Sequence, residues 1–289
     1  MAQGAIFCIR LRARDSEQAE RALAFAFEAG AVGAEERDGG TVILVYAPSE
    51  AANAVAAALR RGAGKGAEVT APEPVEDIDW TERWKDGLDA VEVSPRLRVR
   101  PSFVERALKT GQAELVIDPG QAFGTGGHAS TRLALEWIDA LALEGELGPA
   151  TRILDVGTGS GVLALAGLVL GAGRAVGFDL DPVAVHSARA AAAANGLAEQ
   201  LRVWAGPIQA LRRVEFDLVV ANLLRRELLP LVEEIAARLR AGGALVVSGL
   251  LAGEQGEVEA ALAGAGLRPA GARRARDGGG DWVALLMRR

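Results

Sequence analysis

The chain has 289 residues, half of them hydrophobic and 24 % charged, with a formal net charge of −6. That length allows two domains, one with a sizeable core, and the acidic balance argues against nucleic acid as the main ligand, which ordinarily meets a basic face. No apolar run approaches the roughly 18 residues that span a bilayer, residues 1–6 lack a signal-peptide layout, and a single cysteine, Cys8, excludes an internal disulfide framework; a cytoplasmic protein is expected.

Residues 5–13 alternate as a strand does. Residues 16–29 carry Ala19, Leu23 and Phe27 at helical spacing and stop at Gly30. A second strand follows at 41–46, a second helix at 51–61 and a short edge strand at 68–70. This predicts a small α+β domain of ferredoxin-like type over residues 1–71. It holds no catalytic constellation, so recognition of a substrate is its expected role. The composition then shifts at Ala71-Pro72-Glu73-Pro74, which reads as a stiff connection opening a linker over 72–96. Within it, Asp79-Trp80-Thr81-Glu82 has the capping-box arrangement that starts a helix, with Trp80 and Trp84 on one face.

The larger domain is expected over 97–289. Strands at 97–100 and 114–117 lead into the loop DPGQAFGTGGH, 118–128, and a helix spans 131–143. Next comes ILDVGTGSG, 153–161: an apolar strand, glycines at 157, 159 and 161, then a helix at 162–170. A strand, a tight glycine turn and a helix N-terminus let a polar ligand reach backbone N–H groups. The nicotinamide fingerprint needs its third glycine one position later, where Val162 stands. The spacing found, G-x-G-x-G through Gly157 and Gly159, is that of S-adenosylmethionine (SAM) enzymes. An acid about 20 residues further on should take the ribose hydroxyls, and the strand at 175–178 ends on Asp179. Asp181-Pro182 reads as the N-cap and first turn of a helix that stops at Asn195-Gly196. Strands at 201–204, 216–221, 244–248 and 282–287 alternate with helices at 227–240 and 254–263. Such alternation predicts a doubly wound, mostly parallel sheet with its ligand at the strand C-terminal ends.

These residues resemble the ribosomal protein L11 methyltransferase family, from the segment holding Trp80, Trp84 and Lys85 to the C-terminal strands. The most specific element is DPG-x-AFGTG-x-H, from Asp118 to His128. The second is V-x-A-N, matched by Val219 to Asn222. The resemblance implies a Rossmann-like SAM-dependent methyltransferase behind a small α+β domain. It implies SAM contacts at Thr131, Gly157, Asp179 and Asn222, with Gly159 in the same turn. It also implies ribosomal protein L11 as the substrate, methylated on its N-terminal α-amine and on lysine ε-amines. The usual H-x-T-T is His128-Ala129-Ser130-Thr131 here, so a serine replaces the first threonine and the contacting hydroxyl remains. Thr158 stands where the family often has cysteine, and Gly127 and the Arg225-Arg226 pair are less typical.

With two histidines, His128 and His186, and one cysteine, no histidine/cysteine zinc site is expected. Methyl transfer from SAM needs no metal, because the sulfonium already activates the methyl group. Asn222 could accept an N–H from the incoming amine, or it could simply end its strand. His128 could act as a base, order its loop or hold the substrate. Competing readings are a methyltransferase acting on lysines of another protein, a nucleotide-binding dehydrogenase and a silent binding module. Val162 counts against the dehydrogenase, and Asp179 and Asn222 count against the silent module.

Overall fold

The computed structural model describes residues 6–37, 41–64, 66–75, 89–119, 126–212, 214–277 and 280–289. The chain divides into two compact units, residues 1–87 and 88–289.

The first unit runs β1 (Ile6–Arg12), α1 (Ser16–Glu28), β2 (Gly33–Arg37), β3 (Val42–Pro48), α2 (Ala52–Ala63) and β4 (Glu68–Val69). Its sheet order is β2-β3-β1-β4, antiparallel throughout, which is the ferredoxin-like βαββαβ arrangement. Asp15 starts α1 by accepting from the Gln18 backbone N–H at 2.8 Å. The helices lay Ala22, Ala26, Val55 and Leu59 over Ile9, Leu11, Ile43 and Val45. Burying each of the larger aliphatics contributes about 1.5–3 kcal/mol. Small residues bring α1 and α2 close: a Cβ on Gly62 would lie 2.8 Å from the Ala22 Cα.

Two features of this unit differ from expectation. Strand β2 has the sequence GAEER, which carries no apolar alternation, and it is held by backbone pairing along β3. The Ala71–Pro74 stretch, read as a connection, contributes β5 (Glu73–Pro74), which pairs with Phe7 and Cys8 of β1. Proline is tolerated there because an edge strand leaves one row of N–H groups unused. The expected helix at Asp79 to Glu82, with Trp80, Trp84 and Lys85, lies outside the described residues.

The second unit opens with a three-stranded sheet, β6 (Val91–Glu92), β7 (Leu97–Arg100) and β8 (Ala113–Val116). The Arg98 side chain is buried, donates to the carbonyls of Arg106 and Ala107 at 2.8 and 3.1 Å, and pairs with Glu114. The main sheet is built by α3 (Ala129–Leu143), β9 (Arg152–Val156), α4 (Val162–Val169), β10 (Arg174–Asp179), α5 (Pro182–Ala194), β11 (Leu201–Ala205) and β12 (Phe216–Asn222). It continues with α6 (Arg225–Leu228), α7 (Val232–Arg238), β13 (Leu239–Leu251), α8 (Gln255–Gly264), β14 (Arg268–Asp277) and β15 (Gly280–Arg288). The strand order is β11-β10-β9-β12-β13-β15-β14, parallel from β11 to β13, with β15 antiparallel to both its neighbours. Leu135, Ile138, Leu163 and Val185 of α3, α4 and α5 belong to one apolar layer; Val232, Ile235, Val258 and Leu262 of α7 and α8 belong to the other. This is the doubly wound, Rossmann-like fold.

The helix expected over 227–240 is interrupted. Pro230 lacks an N–H, and the chain makes a 3₁₀ turn at Leu229–Leu231 between α6 and α7. Leu239 then pairs with Phe216, so Gly242 and Gly243 sit in an irregular strand rather than at a helix end. A Cβ on Gly243 would meet the Asp217 carbonyl at 3.0 Å, which explains the small residue. Strand β14 was not expected, because its arginines obscure any apolar period. As an edge strand it carries charge safely: Arg273 lies 4.4 Å over the Trp137 ring, Arg274 donates to Gln255 at 2.6 Å and Arg276 pairs with Asp281.

Candidate functional site

The glycine turn joins β9 to α4. Gly157, Gly159 and Gly161 all have positive φ, at 70°, 53° and 82°, where a Cβ would strain the backbone. Two carboxylates hold the turn from either side. Asp155, 1 % exposed, accepts from the Thr158 hydroxyl at 3.0 Å and the Ala164 N–H at 3.2 Å. Asp179 accepts from the Gly159 N–H at 3.0 Å and, through its other oxygen, from the Asp181 N–H at 3.0 Å. Burial pushes the Asp155 carboxyl up to about 7; the bonds from Thr158 and Ala164 pull it down and the neighbouring charge of Asp179 raises it further. Its Oδ1 is buried without a partner.

Strands β9 and β12 are adjacent, with Val156 opposite Ala221, so Gly157 and Asn222 leave the sheet at the same level. A Cβ on Gly157 would lie 2.5 Å from Leu223 Cδ2. The Asn222 amide donates to the Thr131 hydroxyl at 3.1 Å, while its Oδ1 is buried with no hydrogen-bond partner. Thr131 is fully buried. His128 is the N-cap of α3: its Nδ1 accepts from the Ser130 N–H at 3.2 Å and lies 2.8 Å from the Ser130 hydroxyl. Its ring meets Trp282 edge-on, with centroids 4.6 Å apart. Of the three roles open to His128, this geometry supports ordering. The Nδ1 lone pair is engaged by the Ser130 N–H, so that nitrogen serves the cap.

The family model described as ribosomal protein L11 methyltransferase (PrmA) matches residues 10–289. The chain belongs to that family. A protein of Symbiobacterium thermophilum named ribosomal protein L11 methyltransferase is 40 % identical over 212 residues, covering 73 % of this chain and 66 % of its own length. One of the same name from Sorangium cellulosum is 37 % identical over 296 residues, covering 94 % and 92 %. Among solved structures, the ribosomal protein L11 methylase of Lactobacillus delbrueckii subsp. bulgaricus matches with a TM-score of 0.60 and 29 % identity. That match covers 70 % of this chain and 98 % of the other.

The residues of this L11 methyltransferase family member fit SAM. The positive-φ turn leaves backbone open where side chains would stand, and Asp179 beside it has accepted one N–H on each oxygen, leaving a lone-pair site on each. Of the signature loop, 118, 119 and 126–128 are described and 120–125 are not. Asp118 accepts from the Ser102 N–H at 2.7 Å. Asn195, the C-cap of α5, exchanges two hydrogen bonds with the Val116 backbone, at 2.7 and 2.8 Å. The sequence reading has Asn195 only as the end of its helix and Asp155 only as part of the segment before the glycines. A buried acid inside a glycine motif was the available signal. His186 is exposed. Among the described residues no three His, Cys, Asp or Glu side chains converge as a metal site, and no helix is long and apolar enough to cross a membrane.

Proposed function

We propose that this chain transfers methyl groups from SAM to the N-terminal α-amine and lysine ε-amines of ribosomal protein L11. The observation that carries the reading is the buried, unpartnered Oδ1 of Asn222, at the strand end beside the glycine turn. The names of the relatives support L11 as the target. Bound at the turn, SAM supplies a methyl group already activated by its sulfonium. Asp179 accepts from the ribose hydroxyls, and Gly157 and Gly159 leave room for close approach to the backbone. Asn222 is held by its bond to Thr131 with its oxygen directed at the amine. It accepts an amine N–H, which aligns the nitrogen lone pair, and it stabilises the positive charge that grows on nitrogen. His128 caps α3 and keeps Thr131 in place. The first unit recognises the protein substrate, and the enzyme works in the cytoplasm without binding nucleic acid or membrane.

Incubating the whole chain with labelled SAM and purified ribosomal proteins, then counting methyl groups by mass spectrometry, tests this. Methylated amines on L11 are expected. Label confined to another protein would reassign the substrate, and no label on any protein would sink the reading.

A further inference from the structure

The first turn of α3 is held at four consecutive residues, each by a different strand. His128 packs edge-on against Trp282 of β15. The Ala129 N–H donates to Asp277 Oδ2, at the end of β14, at 3.2 Å. The Ser130 carbonyl accepts from the Ser248 hydroxyl of β13 at 2.7 Å. The Thr131 hydroxyl accepts from Asn222 of β12 at 3.1 Å.

Asp277 does two things in this set. Besides Ala129, it accepts from the Trp282 indole N–H through its other oxygen, at 2.8 Å. One carboxylate therefore fixes both the helix and the ring that packs against His128. The Ala129 N–H stands at the first position of the helix, among the donors that no intrahelical carbonyl can reach. A negative charge there also complements the helix dipole.

We propose that Asp277 is a positioning residue for methyl transfer. It sets the first turn of α3, and through Thr131 it sets the direction of the Asn222 oxygen. The inference rests on the amine-orienting role of Asn222 given above. Without the carboxylate, Ala129 and Trp282 lose their shared acceptor, and Ser248 and Asn222 keep their hydrogen bonds to the turn. Asn222 is then carried with Thr131, and its oxygen leaves the line that an amine lone pair requires. Misplacement of that kind acts on the chemical step more than on binding.

The test uses full-length Asp277→Ala, Asp277→Asn, Trp282→Phe and the Asp277→Ala/Trp282→Phe double variant. Steady-state methylation at varied L11 and saturating SAM, calorimetric SAM affinity and amide exchange over residues 128–132 are measured together. Asp277→Ala should lower kcat about tenfold, with KM for L11 and Kd for SAM each moving less than about threefold. Asp277→Asn, which keeps one acceptor oxygen, should fall between it and wild type and guards against a variant that fails to fold. The double variant should be no slower than Asp277→Ala, because both changes break one contact. Exchange over 128–132 should rise in parallel. Unchanged kcat, effects that multiply independently, or unchanged exchange would each overturn the proposal. A wild-type chain inert on L11 would count against the substrate assignment instead, and the exchange result would then decide the role of Asp277.

Discussion

Replacing Asp155 with asparagine should flatten the pH dependence of stability and make the protein more stable above pH 7. The carboxyl is pushed from 3.8 to about 7 by burial in the folded chain, whereas in the unfolded chain it ionises near 3.9. Between those values the folded state keeps a proton that the unfolded state has lost, so this group makes stability fall as pH rises. Its contribution is fully favourable below about pH 4 and reaches its full penalty above about pH 7. The gap from 3.8 to about 7, at about 1.4 kcal/mol per pH unit, is on the order of 4 kcal/mol. An asparagine oxygen can still accept from Thr158 and Ala164, and an amide never ionises. Its NH₂ would replace the unpartnered Oδ1, which costs about 1–3 kcal/mol at every pH. The variant should therefore be less stable than wild type near pH 4 and more stable near pH 8. Urea unfolding of both proteins in parallel at half-unit intervals gives the difference directly, because every other titrating group is common to the pair. A difference that stays constant across the range would show that Asp155 is ionised throughout and that its burial is tolerated for another reason.

Asp179→Ala should weaken SAM binding by roughly 1.5–3 kcal/mol, read by calorimetry, since charge-assisted hydrogen bonds are lost; an unchanged affinity would reduce Asp179 to a support for the turn. Asn222→Ala should cut single-turnover methylation on the order of 10²-fold at saturating SAM, and an unchanged rate would remove its orienting role. Gly249→Ala should destabilise by about 3 kcal/mol and slow turnover, because φ is +83° and the new Cβ would lie 2.5 Å from the Leu223 carbonyl oxygen, beside Asn222. Gly253→Ala, which meets nothing within 4 Å, is the control and should change neither. A chain beginning at residue 88 should still bind SAM yet lose most methylation of L11, and full methylation by it would leave the first unit a stabilising appendage.

The elements that sequence reasoning located are those whose local chemistry and tertiary role coincide. Strand β10 ends on Asp179, and Asp181 caps α5 with Pro182 at its first position, because strand end and cap are both short-range events. Of the candidate site residues picked out by spacing and resemblance, Gly157, Gly159, Asp179 and Asn222 fall at the β9, β10 and β12 ends, and Thr131 meets Asn222 from α3. Long-range partners were not legible. Nothing in GAEER signals a strand until β3 supplies its hydrogen bonds, and the arginines of β14 look like a solvated cluster until Trp137, Gln255 and Asp281 meet them. Helix α7 begins late because Pro230 acts on the fourth carbonyl before it, an effect that periodicity does not register. Asp155 carries the largest electrostatic perturbation of the turn, yet its burial depends on packing that no window along the chain contains.

A count of acceptors explains how one side chain can serve both the turn and the cofactor. A carboxylate has about four lone-pair sites on its two oxygens. Asp179 spends one on the Gly159 N–H and one on the Asp181 N–H, on different oxygens. That leaves one on each oxygen, which matches the two hydroxyls of a ribose. On the proposed reading, cofactor binding adds hydrogen bonds to Asp179 without breaking those that shape the turn. On the proposed reading Asn222 follows the same logic with a smaller inventory: its NH₂ donates to Thr131 and its oxygen is left for the amine. In both residues one set of hydrogen bonds fixes the side chain and another remains for the ligand. On that reading orientation is established during folding, before either reactant arrives, and the binding energy of the protein substrate is left for bringing the amine to the methyl group.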